Sequence, residues 1–263
     1  MKKSIKSSLA IISGIIFIII LWYITAGIFN DDMIAPAPHA VMKEFFAILG
    51  EKSVYKSIIG TLWRSTISFS ISFAVALALA VIASFSPFAE KLFYPLVAIV
   101  RVVPAMSVIL LCLIWLRSSK SPIAVSFIVI FPMLYSAILN ALKNRDKDLI
   151  QMLKAYNVKP MKVFFGATLP DEVGKLFPEF VSVLAFNIKL TISGEALAYT
   201  KQSIGREMYA ANSNFLTGRL LALTVIAVLL SVALELLFKG VYYLIKKGIK
   251  EHGRKKTLQA LQD

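Results

Sequence analysis

Apolar runs of about 20 residues recur along this chain, and each is long enough to cross a hydrocarbon core of about 30 Å as a helix. Six spans are predicted, at roughly 9–29, 58–84, 93–116, 122–142, 177–199 and 218–245. Composition agrees: of 263 residues 58% are hydrophobic and 17% charged, and mean hydropathy is +0.75. A soluble chain is nearer about half apolar and about a quarter charged. Trp22, Tyr23, Trp63, Tyr94 and Trp115 lie near the ends of these spans, where interfacial aromatics belong. Pro95, Pro104, Pro122, Pro132 and Pro178 fall in or at the start of spans, which membrane helices tolerate when neighbours satisfy the freed backbone groups. The expected fold class is all-α, an integral membrane bundle of about six transmembrane helices. No internal repeat or low-complexity linker divides it, so residues 1–263 are read as one membrane domain.

The basic start Lys2, Lys3 and Lys6 leads into an apolar run that reaches Phe29. That run exceeds the core of a secretory signal and is not closed by a small-residue cleavage site, so a retained first helix is expected. With the N-terminus inside, the inside segments hold roughly twice as many lysines and arginines as the outside ones. Both termini and residues 143–175 are therefore expected in the cytoplasm. The outside segment 30–57 carries Asp31-Asp32, a Pro36-Ala37-Pro38 turn and a short amphipathic stretch, Val41–Leu49, expected along the outer face.

Several chemistries are excluded. The net charge of +14 lies beside apolar runs, where it orients helices and meets anionic lipid, and no separate basic module exists for nucleic acid. The single Cys112 and the distant His39 and His252 offer neither a disulfide framework nor a metal site. No cofactor and no catalytic residue is assigned. No Walker-type glycine loop is present, so the chain itself does not hydrolyse ATP.

The hydrophilic stretch Lys143–Lys175 is patterned beyond what a soluble connector needs. Leu149, Met152, Leu153 and Tyr156 fall at helical spacing, and Asn157 follows them, a residue suited to ending a helix. Lys159-Pro160 turns the chain. Met161, Val163, Phe164, Phe165 and Ala167 begin a second apolar stretch that Leu169-Pro170 closes. Two short helices joined by a turn make a knob whose apolar stripe should be buried against a partner.

These residues resemble the membrane permease of a type I ABC importer, in the branch that carries nitrate, sulfonates, taurine and related small compounds. The family's cytoplasmic signature is Glu-Ala-Ala, three residues, Gly, nine residues, then Ile-x-Leu-Pro. The same spacing here gives Gln151-Met152-Leu153, then Asn157, then Ala167-Thr168-Leu169-Pro170. The Leu-Pro end and the spacing match; the Glu, both Ala and the Gly do not. Thr61-Leu62-Trp63-Arg64 with Phe69, Arg101-Val102-Val103-Pro104, Phe131-Pro132 with Asn140, and Glu195 with Ser203-Ile204-Gly205 resemble further family segments in order. Family glycines in the second and third spans are replaced, for example by Ser72 and Ala76. The resemblance covers most of residues 36–245. It implies a permease subunit of an ATP-driven importer of a small solute. Its partners would be cytoplasmic ATPase subunits, a second permease subunit and an extracytoplasmic solute-binding protein. It further implies that Gln151, Met152, Leu153, Tyr156, Asn157, Leu169 and Pro170 couple the permease to the ATPase, and that the knobs tilt as the ATPase closes.

Polar residues inside spans are costly and are functional candidates. Asn187, Thr191 and Glu195 share one face of the fifth span, either as a stripe along the pathway or as interhelical hydrogen bonds; Glu195 is also placed to brace the following outer loop. Lys189 lies about 200° around from Asn187 at about 100° per residue. It either faces the pathway, favouring an anionic substrate, or pairs with Glu235, whose own rival partner is Lys239 at i, i+4. Arg64 is expected to snorkel outward beside Trp63. Arg101, just before a proline-disturbed segment, is a candidate for gating or for bracing between helices. Alanines 74, 76, 78, 80 and 83 suit close helix packing.

Two other classes remain as rivals. A membrane enzyme would want clustered His, Asp or nucleophilic Ser near one interface, and none is evident. A stand-alone secondary carrier driven by an ion gradient would show related halves more often than not and would need no knob.

Overall fold

A computed structural model describes residues 2–144 and 163–259, and among them the chain is helix and turn throughout. Ten α-helices follow in order: α1 (Lys2–Phe29), α2 (Pro38–Leu49), α3 (Lys52–Phe85), α4 (Pro87–Val102), α5 (Ala105–Trp115), α6 (Ser121–Lys143), α7 (Leu169–Lys175), α8 (Phe177–Leu197), α9 (Ile204–Ser213) and α10 (Thr217–Gln259). A π-helical turn, Phe164–Thr168, leads into α7.

α3 is the spine. Its buried side is a seam of small residues, Ser57, Thr61, Ser65, Ser68, Ser72, Ala76, Ala80 and Ala83, recurring every three or four positions. Small side chains let backbones approach where lipid offers no hydrophobic gain for helix association. α6 and α8 pack into that seam, with Ile130, Leu134 and Ile138 at 1% exposure or less forming the centre of the core. α2 begins at Pro38, a residue pre-set for a helix start. It lies against α10, where Val41 and Ile48 meet Ala222, Leu223 and Ile226. α1 stands apart: its apolar stretch Ile12–Phe29 is only 6% buried. Trp22 Nε1 donates to the Pro36 carbonyl at 3.0 Å and ties its far end to the start of α2.

The third span differs from the single continuous helix expected at 93–116. It is two helices, α4 and α5, bent by 99° at Val103-Pro104. Val103 N–H donates to Ile99 O and closes α4, and Val103 is then extended (φ −65°, ψ 127°). A residue before proline is pushed out of the helical region, and Pro104 has no N–H to carry the ladder onward. The bent pair still crosses the bundle. At its start Glu90 pairs with Lys143, at the C-terminal end of α6, at 2.8 Å. Just beyond its end, the Ser118 carbonyl accepts from Thr200 Oγ1 at 2.7 Å, beside the N-terminal end of α6. α1, α3, α6, α8 and α10 are each long and apolar enough to cross a membrane, and the bent pair taken as one span brings the number to six.

Candidate functional site

α8 carries polar residues on two faces, and the structure separates them. Asn187, Thr191 and Glu195 are fully buried against α3 and α6. Asn187 Nδ2 donates to the Ser65 carbonyl at 2.7 Å and to Ser65 Oγ at 2.8 Å, and its Oδ1 accepts from Ser68 Oγ at 3.3 Å. Thr191 Oγ1 donates to the Asn187 carbonyl at 2.9 Å and lies 2.9 Å from Ser126 Oγ of α6. These bonds join α3, α6 and α8 at fully buried positions.

Glu195 is the centre of a knot at the Ser121 end of the bundle. Its carboxylate accepts from Thr61 Oγ1 and Arg64 Nη1, both at 2.7 Å, and from Gly205 N–H at 3.4 Å. Arg64 is not turned outward beside Trp63. Its side chain is 14% exposed and bridges Glu195 to the Lys201 carbonyl at 2.7 Å and the Gln202 carbonyl at 3.3 Å. A buried carboxylate draws the guanidinium inward because an unpaired charge there is far costlier than a solvated one elsewhere. Thr61 Oγ1 also accepts from Ile204 N–H at 3.0 Å, so one hydroxyl serves both the carboxylate and the start of α9. The turn between α8 and α9 is tight, with Tyr199 and Gln202 at positive φ. Gly205 is required by its surroundings: a Cβ there would stand 2.3 Å from Ile192 O and 2.5 Å from Ala196 N.

The opposite face of α8 is exposed and carries Ser182, Phe186, Lys189, Ser193 and Leu197. Glu235 is occupied by Lys239 at 2.5 Å, and Lys189 has no anionic partner among the described residues. The exposed faces of α1 and α10 contrast with it: Ile16, Phe17 and Ile20, or Val228, Leu229, Val232 and Leu236, are all apolar and suit lipid. Arg101 ends α4 and donates from Nη2 to Ser136 Oγ of α6 at 2.5 Å, with the Pro132 carbonyl at 3.5 Å.

At the Lys143 end, Leu169 and Pro170 open α7, with Leu169 half-buried against the main core. Gln151, Met152, Leu153, Tyr156 and Asn157 lie outside the described residues. Phe164 of the π-helical turn is buried against Phe85 at the end of α3, ring centroids 4.4 Å apart. Asp171 and, after it, Glu172 hydrogen-bond Lys175 and hold its ammonium above the ordinary lysine range. Tyr242 of α10 donates to the Gly174 carbonyl at 2.9 Å and stacks on Phe177. The segment leaving residues 143–175 is thereby fastened to α3, α8 and α10. Among the described residues no cluster of His, Cys, Asp or Glu is arranged to hold a metal ion.

Sequence reasoning missed the Thr61–Ile204 bond and the inward turn of Arg64. The signal was present in the paired motifs Thr61-Leu62-Trp63-Arg64 and Ser203-Ile204-Gly205, which meet in space although no local pattern connects them.

Similarity to known proteins agrees with this architecture. A probable ABC transporter permease protein of Haemophilus influenzae is 22% identical over 228 residues, covering 85% of this chain and 90% of that protein. The putative aliphatic sulfonates transport permease protein SsuC of Escherichia coli is 25% identical over 157 residues, 58% of this chain and 59% of that protein. Two inward-facing structures of the MetNI methionine ABC transporter share the fold. One aligns with TM-score 0.53 and 18% identity over 72% of this chain and 94% of that one. The other aligns with TM-score 0.56 and 16% identity over 72% and 96%. These relatives favour an importer permease over a stand-alone carrier. Residues 70–251 match the family described as the inner membrane component of binding-protein-dependent transport systems, and the chain belongs to that family as a multi-pass permease subunit.

Proposed function

We propose that this chain and a second permease subunit enclose the membrane pathway of an ATP-driven importer whose solute carries negative charge. Lys189 carries this reading. An ammonium group partway along a membrane helix, exposed and without an anionic partner among the described residues, belongs against water or a charged solute rather than lipid. Its neighbours on that face, Ser182 and Ser193, are polar as well. The face therefore points to the pathway between the two subunits, and the apolar faces of α1 and α10 to lipid. The sulfonate permease among the relatives supports an anionic solute such as a sulfonate.

In this arrangement the Lys143 end is cytoplasmic, with both termini on the same side. Residues 143–175 dock on ATPase subunits, which perform the hydrolysis. Gln151, Met152, Leu153, Tyr156 and Asn157 supply the contact, while Leu169-Pro170 and α7 carry its motion to α8. The knot at Glu195 keeps α3, α8 and α9 together as one unit at the outer end, where a solute-binding protein delivers its load. Asn187, Thr191 and Glu195 then serve as bracing within the subunit, and Lys189 as the pathway residue.

The test is uptake of a radiolabelled sulfonate by vesicles holding the full transporter. Lys189→Glu should abolish ATP-driven uptake while Lys189→Arg keeps most of it, with equal amounts of protein inserted. Undiminished uptake in Lys189→Glu would refute the placement of Lys189 in the pathway.

A further inference from the structure

A cleft of about 220 Å3 opens between α3, α7, α8 and α10, and every side chain that lines it is apolar. Phe69 and Phe73 of α3 stack with ring centroids 6.2 Å apart, and the Phe73 ring meets that of Phe180 of α8 edge-on at 5.2 Å. Leu184 of α8 is buried beside them, and Val173 of α7 lines the cleft at the Lys143 end of the bundle. Phe238 of α10, 38% exposed, is the lining residue most open to the outside. Glu51 and Arg219 join the starts of α3 and α10, but these helices otherwise pack chiefly on α8 rather than on each other, which leaves the gap. A cavity of this size with no polar lining stays dry and accepts apolar guests. Between membrane-crossing helices, the bilayer supplies the hydrocarbon.

The helix that borders the cleft also carries a charge that selects among lipids. Beyond Phe238, α10 runs through Tyr242 and Tyr243, the latter 68% exposed, and then through Lys246, Lys247, Lys250, Arg254, Lys255 and Lys256. Glu251 is the one acid in that run. Tyrosines at such a position mark the headgroup level of a bilayer. Phe238 stands about 6 Å from Tyr242 along the axis toward the bilayer centre, at about 1.5 Å per residue. A basic run directly beyond a membrane helix attracts anionic lipid. Lys239 adds nothing to this attraction, because Glu235 holds it.

We propose that the cleft holds one acyl chain of an anionic phospholipid whose headgroup meets the basic run that begins at Lys246. The chain fills the gap between α3 and α10, and the headgroup charge gives a preference over zwitterionic lipid. Tyr242 Oη donates to the Gly174 carbonyl at 2.9 Å, and its ring stacks on Phe177, another lining residue. A lipid seated here therefore abuts α7 and the start of α8. The site depends neither on the charge of the transported solute nor on which segment docks an ATPase.

The test purifies the transporter assembly containing this chain in mild detergent and titrates it with phosphatidylglycerol or phosphatidylcholine of identical acyl chains. Retained lipid is counted by native mass spectrometry. Wild type is expected to retain phosphatidylglycerol in preference. Val173→Phe fills the cleft and should lower that retention several-fold. Leu236→Phe, at a 64% exposed position of α10 that does not line the cleft, should leave it unchanged. Replacing Lys246 and Lys247 together by glutamine should weaken phosphatidylglycerol binding on the order of tenfold and leave phosphatidylcholine binding as it was. The lysine variant alters nothing in the span Thr217–Leu244 and decides the question by itself where Val173→Phe fails to fold. Equal retention of the two lipids by wild type, or a preference that survives the lysine variant, overturns the proposal. So does unchanged phosphatidylglycerol retention in folded Val173→Phe. Wild type that retains no lipid also overturns it, the result expected if another subunit or a second copy of this chain closes the cleft.

Discussion

Arg64 of α3 and Glu195 of α8 are joined at 2.7 Å although 131 positions separate them, and Glu195 is fully buried. This pair and the Thr61 hydroxyl fix the turn that follows α8 onto the side of α3. Removing one partner strands the other charge in a dry site, which costs about 3–5 kcal/mol in buried pairs. Arg64→Met and Glu195→Leu should each sharply lower the midpoint of detergent thermal unfolding. The double variant should recover much of the loss, because no charge is then left unpaired. A loss in the double variant equal to the sum of the two single losses would show that the pair is not coupled.

Gly205 permits the close approach of α9 to α8. Gly205→Ala places a methyl 2.3 Å from Ile192 O, 2.5 Å from Ala196 N and 2.6 Å from Glu195 Cβ. The neighbours are two backbone atoms and a fixed side-chain root, so nothing yields cheaply. Monodisperse yield on size-exclusion chromatography should fall several-fold. Gly166→Ala, with nothing within 4 Å, is the matched control and should leave the yield unchanged.

Five of the spans appear as single membrane-length helices and the sixth as a bent pair, and they were legible because length and apolar content suffice to locate them. The placement of Asn187, Thr191 and Glu195 on one face followed from helical periodicity alone. Their partners did not, since Ser65, Ser68 and Thr61 lie more than a hundred positions away and only packing of α3 on α8 brings them near. Arg64 was misjudged for the same reason: beside Trp63 it looks interfacial, and its buried counter-charge is on another helix. Pro104 announced a disturbance but not a bend of 99°, which depends on how α5 packs on α6. The residues from Gln151 to Asn157, proposed to couple the permease to an ATPase, carry a sequence pattern but lie outside the described residues.

Glu51 and Arg219 form a bidentate pair, with both N–O distances 2.7 Å, which links the start of α3 to the start of α10. The hydrogen bonds from Arg219 hold the Glu51 carboxyl below the usual carboxylate range, against the opposing effect of burial. A carboxyl depressed in the folded state stabilises it at pH above its unfolded value, and that contribution is lost as pH falls through the depressed folded value. Wild type should therefore unfold at a higher temperature than Glu51→Gln at neutral pH, and the two curves should converge only in strongly acidic buffer. A constant difference down to that pH would remove Glu51 as the titrating group.

The most direct measurement is co-purification of the ATPase subunit with this chain from its native membrane in mild detergent, comparing wild type with Leu153→Asp and Tyr156→Asp. A charge placed among Leu149, Met152, Leu153 and Tyr156, which fall at helical spacing in the sequence, would carry a desolvation cost into the proposed docking contact. Wild type should bring down an ATPase subunit and a second permease subunit, and both variants should insert normally yet lose the ATPase. ATPase recovery and ATP-driven uptake unchanged in both variants would contradict the docking of residues 143–175 on the ATPase.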